Sequence, residues 1–153
     1  MIAILHNIRS KHNVGSIFRT ADAAGIKKIY LCGYTPEPLP KVALGAEKFI
    51  SFEKVKSAAA LIDRLKKDGY KIFAIEQSSK SIPYFKLRTS QVLRLGLVFG
   101  NEVRGLSSAV LKRADKILEI PMYGQKESLN VAVAFGIVTF GLIMLENVQK
   151  KQR

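Results

Sequence analysis

Short aliphatic runs recur along this chain with helix-like segments between them, and that alternation restricts the fold more than any other feature. Residues 2–5, 28–32, 71–75 and 95–99 are apolar almost throughout instead of alternating with polar residues, so each reads as a strand buried on both faces. Between the first two, Ile17, Phe18, Ala21 and Ala24 fall at helical spacing, with Gly25 as a stop and a start expected near Asn13. Residues 55–67 put Ala59, Leu61, Ile62 and Leu65 on one side and Arg64, Lys66 and Lys67 on the other, an amphipathic helix ended at Gly69. Further strand-like runs lie at 49–52 and 116–120, and Ala109, Val110 and Leu111 begin a short helix after Ser107. Parallel neighbours need a crossover between them, usually helical, so the expectation is an α/β fold with a mainly parallel sheet flanked by helices. At 153 residues, with no internal repeat or low-complexity linker, the chain reads as one domain, able to bury roughly 70% of its unfolded surface.

Charge narrows the partner. There are 25 Lys and Arg against 12 Asp and Glu, a net +13, and such a field favours a polyanion such as nucleic acid over a small neutral substrate. Cys32 is the only cysteine, so no intrachain disulfide can form and nothing points to an oxidising compartment. The N-terminus runs directly into the first strand without a basic region ahead of it, which argues against a signal peptide and for a cytoplasmic protein. Residues 128–145 carry no charge and approach the length of a membrane span. Asn130, Thr139, Gly136 and Gly141 interrupt that apolarity, so the expectation is a buried or subunit-interface helix and no membrane association.

Three polar stretches stand at the ends of these elements. In the first, Asn13 and Gly15 precede Arg19 on the helix-like segment; a glycine in a first helical turn costs about 1 kcal/mol relative to Ala, so a ligand or another backbone is expected close to Gly15. In the second, the strand at 95–99 runs into Gly100-Asn-Glu-Val-Arg-Gly-Leu-Ser107, placing the Glu102 carboxylate between two glycines. In the third, Ile120-Pro-Met122 leads through a polar loop to Ser128, Leu129 and Asn130 at the head of the apolar helix, where Ser128 is the expected N-cap and Asn130 has no evident reason. The turn Glu76-Gln-Ser-Ser-Lys80 leaves the C-terminal end of another strand, where open α/β sheets hold their ligands, and is a candidate wall. Neither a Gly-x-Gly-x-x-Gly turn nor a Gly-Lys-Ser/Thr loop is present, and Cys32, His6 and His12 offer no metal-ligand spacing.

Taken in order, the three stretches resemble the motifs of the SpoU, or TrmH-type, RNA methyltransferases of the SPOUT superfamily. Asn13-Val-Gly15 with Arg19 is similar to the first, Leu97-Val-Phe-Gly-Asn-Glu-Val-Arg-Gly-Leu106 to the second, and Ile120-Pro-Met122 with Ser128-Leu-Asn130 to the third. Each alone is weak; their order and spacing across nearly the whole chain make the signal specific. The resemblance implies a SPOUT fold whose C-terminal segment forms a deep trefoil knot, an exception to the rule that chains avoid threading and so not reachable from periodicity. It also implies S-adenosyl-L-methionine as cofactor, no metal, a homodimer with active sites at the interface, and methyl transfer to a ribose 2'-hydroxyl of tRNA or rRNA. By motif position, cofactor contacts are expected from Glu76, Gln77, Gly100, Ile120, Met122, Ser128 and Leu129. Arg19 is expected as the catalytic arginine, with Asn13, Glu102, Ser128 and Asn130 as polar companions.

Methyl transfer to a hydroxyl is an in-line displacement, and alignment supplies much of its rate. A free guanidinium releases its proton too reluctantly to serve as a base, so Arg19 is expected to hold a phosphate and stabilise the developing alkoxide; the proton goes either to that phosphate or to a buried, perturbed arginine. No separate RNA-binding domain is evident within residues 1–153, so RNA contacts are expected from Arg9, Lys11, Arg19, Lys150 and Lys151, with Tyr34, Phe52, Tyr84 and Tyr123 as residues able to stack on a base. Two competing readings are a non-catalytic RNA-binding or ribosome-assembly factor, which the presence of Arg19, Glu102, Ser128 and Asn130 opposes, and a small-molecule enzyme, which the charge opposes.

Overall fold

The computed structural model describes residues 1–87 and 94–151, the side chains of 149–151 excepted. Seven strands form one sheet: β1 (Ile2–His6), β2 (Lys28–Cys32), β3 (Ser51–Val55), β4 (Lys71–Ile75), β5 (Ile82–Pro83), β6 (Leu95–Phe99) and β7 (Lys116–Glu119). Their order is β3-β2-β1-β6-β4-β7-β5, and the pairings between these strands are all parallel. The inner strands are the aliphatic runs, β6 being buried at every position. Toward the edges the sequence becomes polar: β3 is largely exposed, and β5 is a two-residue strand containing a proline, tolerated there because an edge residue need not donate to a ladder.

Among the described residues five α-helices flank the sheet: α1 (Lys11–Ala23), α2 (Pro40–Ala43), α3 (Ala58–Lys67), α4 (Ser108–Leu111) and α5 (Val131–Lys151). Val14, Ile17, Phe18 and Ala21 of α1 and Phe135, Val138 and Leu142 of α5 share one core with Leu5, Leu31, Leu97 and Phe99, while Leu61, Ile62 and Leu65 of α3 pack with Ile4, Tyr30, Ile72 and Val98 in a second. Successive strand residues alternate between these cores, which makes a three-layer sandwich of helices, sheet and helices. Burial pushes the Cys32 thiol up to about 12, so it is inert core at neutral pH.

Several boundaries differ from the sequence expectation for local reasons. Helix α1 begins at Lys11, two residues before Asn13, because the Ser10 hydroxyl accepts from the Asn13 amide at 3.2 Å and caps it. Helix α3 begins at Ala58, where Ser57 accepts from the Ala60 amide, and residues 51–55 extend the sheet along β2 instead. Gly15 answers to a neighbouring segment and not to a ligand: a Cβ there would lie 2.9 Å from the Val42 Cβ and 3.2 Å from the Leu39 carbonyl oxygen, so the glycine lets α1 and the start of α2 approach.

The strand order fixes where a ligand can enter. From β1 the chain moves outward to β2 and β3, then returns to the other side of β1 with β4 and β6, so the winding reverses between β1 and β6. Loops leaving strand C-terminal ends diverge at such a reversal and leave a crevice. Here these are residues 7–10, 76–81, 100–107 and 120–130; the last two hold Glu102 and the Ile120 to Asn130 stretch, and the first leads directly into α1, which carries Asn13, Gly15 and Arg19.

Candidate active site

A chain of hydrogen bonds joins the three stretches. The Glu102 carboxylate accepts from the backbone amides of Arg9 at 3.0 Å and Ser10 at 3.2 Å, and from the Asn13 side-chain amide at 3.0 Å. Burial works against its charge, but the Arg9 amide, the Asn13 amide group, its own backbone amide and that of Ser10 outweigh it and hold the carboxyl below the ordinary range. Asn13 Oδ1 in turn accepts from Asn130 Nδ2 at 3.0 Å. Asn130 Oδ1 accepts from the amides of Ala132 at 2.8 Å and Val133 at 3.3 Å.

Asn130, not Ser128, is therefore the N-cap of α5. Both types cap equally well, so sequence alone does not separate candidates two positions apart. The network orients both amides: two N–H donors demand Asn130 Oδ1, which turns its Nδ2 to Asn13, and Asn13 must then present oxygen to Asn130 and nitrogen to Glu102.

Beside this chain lie two open pockets of about 400 and 600 Å³ that share Ile75, Glu76, Ser128, Leu129 and Ala134. The first adds Gln77, Glu119, Ile120 and Met122; the second adds Gly100, Asn101, Glu102 and Gly105 among others. Each of the residues expected to contact a cofactor, Glu76, Gln77, Gly100, Ile120, Met122, Ser128 and Leu129, lines one or both. Two of them also hold the walls together. Glu76 accepts from the amides of Leu106 at 2.9 Å and Gln77 at 3.0 Å, and Gln77 Nε2 donates to the Ile120 carbonyl at 3.3 Å. Gly105, at φ 65°, sits where any Cβ would collide with the Glu76 carboxylate.

The sequence matches the SpoU rRNA Methylase family over residues 1–140. The chain belongs to that family. It is 36% identical to a tRNA (guanosine(18)-2'-O)-methyltransferase of Borreliella burgdorferi, over 92% of this chain and 65% of that protein, so it spans less than two thirds of that relative's length. Among solved structures, the TrmH/SpoU tRNA modifying enzyme of A. aeolicus superposes with a TM-score of 0.89 at 30% identity, over 97% of this chain and 76% of that one. An AdoMet-bound rRNA methyltransferase from Sinorhizobium meliloti gives 0.81 at 27% identity, over 92% and 54%. The trefoil knot expected from the motifs follows from this SpoU fold.

Not every expected residue of the SpoU motifs converges. Arg19 is exposed on α1, lines neither pocket, and its guanidinium makes no hydrogen bond or ion pair among the described residues. Arg9 and Lys11 are exposed at the rim beside Glu102 and Asn13, Arg9 lining an open hollow with Ser10, Asn13, Glu102 and Val103. Lys150 and Lys151 end α5, but their side chains, with residues 152–153, lie outside the described residues. Among those residues no group of three or more His, Cys, Asp or Glu gathers as metal ligands.

Several residues of the site escaped the sequence reading: Ile75, Glu119 and Ala134 in the pocket walls, and Asn101. Asn101, only 7% exposed, accepts from the amides of Val103 and Arg104 at 2.9 and 2.7 Å, and donates to the Asn7 carbonyl at 2.8 Å and the Tyr34 hydroxyl at 2.9 Å. The available signal was its place in a glycine-bounded turn, where asparagine commonly bonds the backbone two residues on.

Proposed function

We propose that residues 1–153 act as a single catalytic domain that methylates a ribose 2'-hydroxyl of tRNA or rRNA with S-adenosyl-L-methionine. The observation that carries this reading is the juxtaposition of the two adjoining pockets with the Glu102–Asn13–Asn130 chain at their rim. The residues fit the cofactor. Ile75, Ile120, Met122, Leu129 and Ala134 offer an apolar wall for an adenine ring, and Glu76 and Glu119 bring two carboxylates toward a cationic sulfonium in an otherwise basic protein. When bound, the cofactor supplies an electrophilic methyl group.

This chain's residues align and stabilise the acceptor. Glu102 and Asn130 lock Asn13 into one orientation at the head of α1, so the polar surface facing the ribose is organised before RNA arrives. Arg19, exposed and without a partner among the described residues, holds the phosphate beside the target ribose and stabilises the alkoxide as it forms. That exposure favours the phosphate as proton acceptor over the alternative of a buried, perturbed arginine. Arg9, Lys11, Lys150 and Lys151 supply further phosphate contacts, and no metal role is assigned.

The working form we propose is a cytoplasmic homodimer with its active sites at the interface. Val133, Ile137, Phe140, Met144 and Val148 make an exposed apolar stripe on α5, opposite Phe135, Val138 and Leu142 in the core. By length and composition residues 131–148 are apolar enough to cross a membrane, with mean hydropathy 2.0 and 28% of the window buried. A stripe on one face of a helix whose other face is in a folded core fits a second copy of the chain better than lipid.

Calorimetry with S-adenosylmethionine and S-adenosylhomocysteine, followed by methyl transfer to bulk RNA with ribose-methyl mapping, tests the activity. Binding of both and a mapped 2'-O-methyl group are expected. RNA binding without cofactor binding would make the protein a non-catalytic RNA-binding factor.

A further inference from the structure

Next to the proposed active site, and sharing Asn101 and Val103 with the second cofactor pocket, Arg9, Tyr34, Asn101, Val103 and Arg104 line an open hollow of about 660 Å³. Three loops build it: residues 7–10 after β1, Gly33 and Tyr34 after β2, and residues 101–105 after β6. Asn101 ties them together, since its side-chain hydrogen bonds run to the Asn7 carbonyl, the Tyr34 hydroxyl and the Val103 and Arg104 amides. Asn7 stands at φ 58°, a left-handed conformation asparagine tolerates, and its Oδ1 accepts from the Tyr34 amide at 3.3 Å. The hollow is thus a held shape and not a gap between loose loops.

Its chemistry is specific. The Tyr34 side chain is held at its hydroxyl yet the residue is 57% exposed. Because the hydroxyl oxygen accepts from Asn101, its own proton remains available for donation. Arg9 and Arg104 are exposed, and among the described residues neither guanidinium has a hydrogen bond or ion pair. An aromatic ring anchored at its hydroxyl, lining one hollow with two arginines whose guanidinium groups are unpaired among the described residues, matches a nucleotide, base on ring and phosphates on arginines. Glu102, between Asn101 and Val103 in sequence, lines the adjoining hollow with Asn13, and the two hollows share Arg9 and Val103.

Resting on the methyltransferase reading, we propose that this hollow is a nucleotide subsite that seats a base flanking the methylated one, with Tyr34 stacking on the base and Arg9 and Arg104 binding its phosphates. The test compares the affinity of the whole protein for a labelled single-stranded RNA of mixed sequence and for heparin, a polyanion without bases. Tyr34→Ala should weaken RNA binding at least about fivefold, as expected for losing one stacked base, and leave heparin affinity unchanged. Tyr34→Phe should keep RNA affinity near the parent's. Arg104→Ala should weaken both ligands and lower the salt slope of RNA binding by about 1. With substrate RNA the Tyr34→Ala loss should appear in KM and not in kcat, with S-adenosylmethionine affinity unchanged as a control for folding. RNA affinity unaltered by Tyr34→Ala, or an equal loss for RNA and heparin, would overturn the subsite. A parent protein that binds RNA but not S-adenosylmethionine would end the methyltransferase reading instead, and the binding comparison would still decide the subsite.

Discussion

At the scale of single residues, the Asn13–Asn130 pair separates roles that a motif merges. Asn130→Asp keeps the acceptor that caps α5 but sets a carboxylate against Asn13 Oδ1, and Asn13 cannot turn over without presenting oxygen to Glu102. Thermal stability is expected to hold near the parent's while single-turnover methylation falls at least about tenfold; equal rates would show that the pair is not part of the chemistry. Arg19→Ala, by contrast, is expected to preserve cofactor affinity and lower the methylation rate by at least about a hundredfold, the scale of losing one group that stabilises developing charge. Arg19→Lys should restore little, because lysine lacks the planar fork that holds two phosphate oxygens. Loss of cofactor binding in proportion to rate would refute that assignment. Glu102 adds a pH dependence. Its folded pKa is depressed, so the stability it contributes is present above the unfolded carboxylate value, about 4.3, and is lost as pH falls through the lower folded value. Melting curves of the parent and Glu102→Gln should therefore differ most above about pH 5 and converge in stronger acid.

At the scale of elements, two opposing effects meet at Gly15. Alanine there gains about 1 kcal/mol of helix propensity, but its Cβ would meet the Val42 Cβ at 2.9 Å and the Leu39 carbonyl oxygen at 3.2 Å, and overpacking of this kind costs about 1–3 kcal/mol. Neither neighbour is the free end of a flexible side chain, so a net loss is expected in denaturant titration. A stabilised Gly15→Ala variant would mean that α2 can shift away. Periodicity did reveal the existence and type of the longer elements, from residues 2–5 and 95–99 to the amphipathic set Leu61, Ile62 and Leu65. What it missed were the short helix α2, ends decided by one side chain's hydrogen bonds, such as Ser10 capping α1 and Asn130 capping α5, and the strand β5, which exists only because β7 lies beside it.

At the scale of the whole molecule, the charge of +13 and the apolar stripe on α5 each predict a bulk property. RNA affinity should fall steeply with salt as neutralised phosphates release counterions. An affinity that stays flat between low and physiological salt would remove phosphate contact as the source of binding. Sedimentation at micromolar concentration should show a dimer without detergent, and Ile137→Glu, on the exposed stripe, should shift it to monomer while leaving the melting temperature of the domain largely in place. A monomeric parent would leave the stripe without its proposed partner.

The sequence by itself determined the layered α/β class, the basic surface and the three polar stretches, because each is written in local residue types: aliphatic runs, lysines and arginines, and polar residues beside glycine and proline. Even the partnership of Glu76, Gln77 and Ile120 with Ser128 was reachable, though only through resemblance to a family whose motifs place them. Tertiary structure alone decided which of these residues meet. Asn101 became a structural hub, Gly15 answered to α2, and Arg19 stayed outside the pockets, because each outcome depends on contacts between segments far apart in the chain. The winding reversal at β1 and β6 sets those contacts, and no short-range periodicity encodes it.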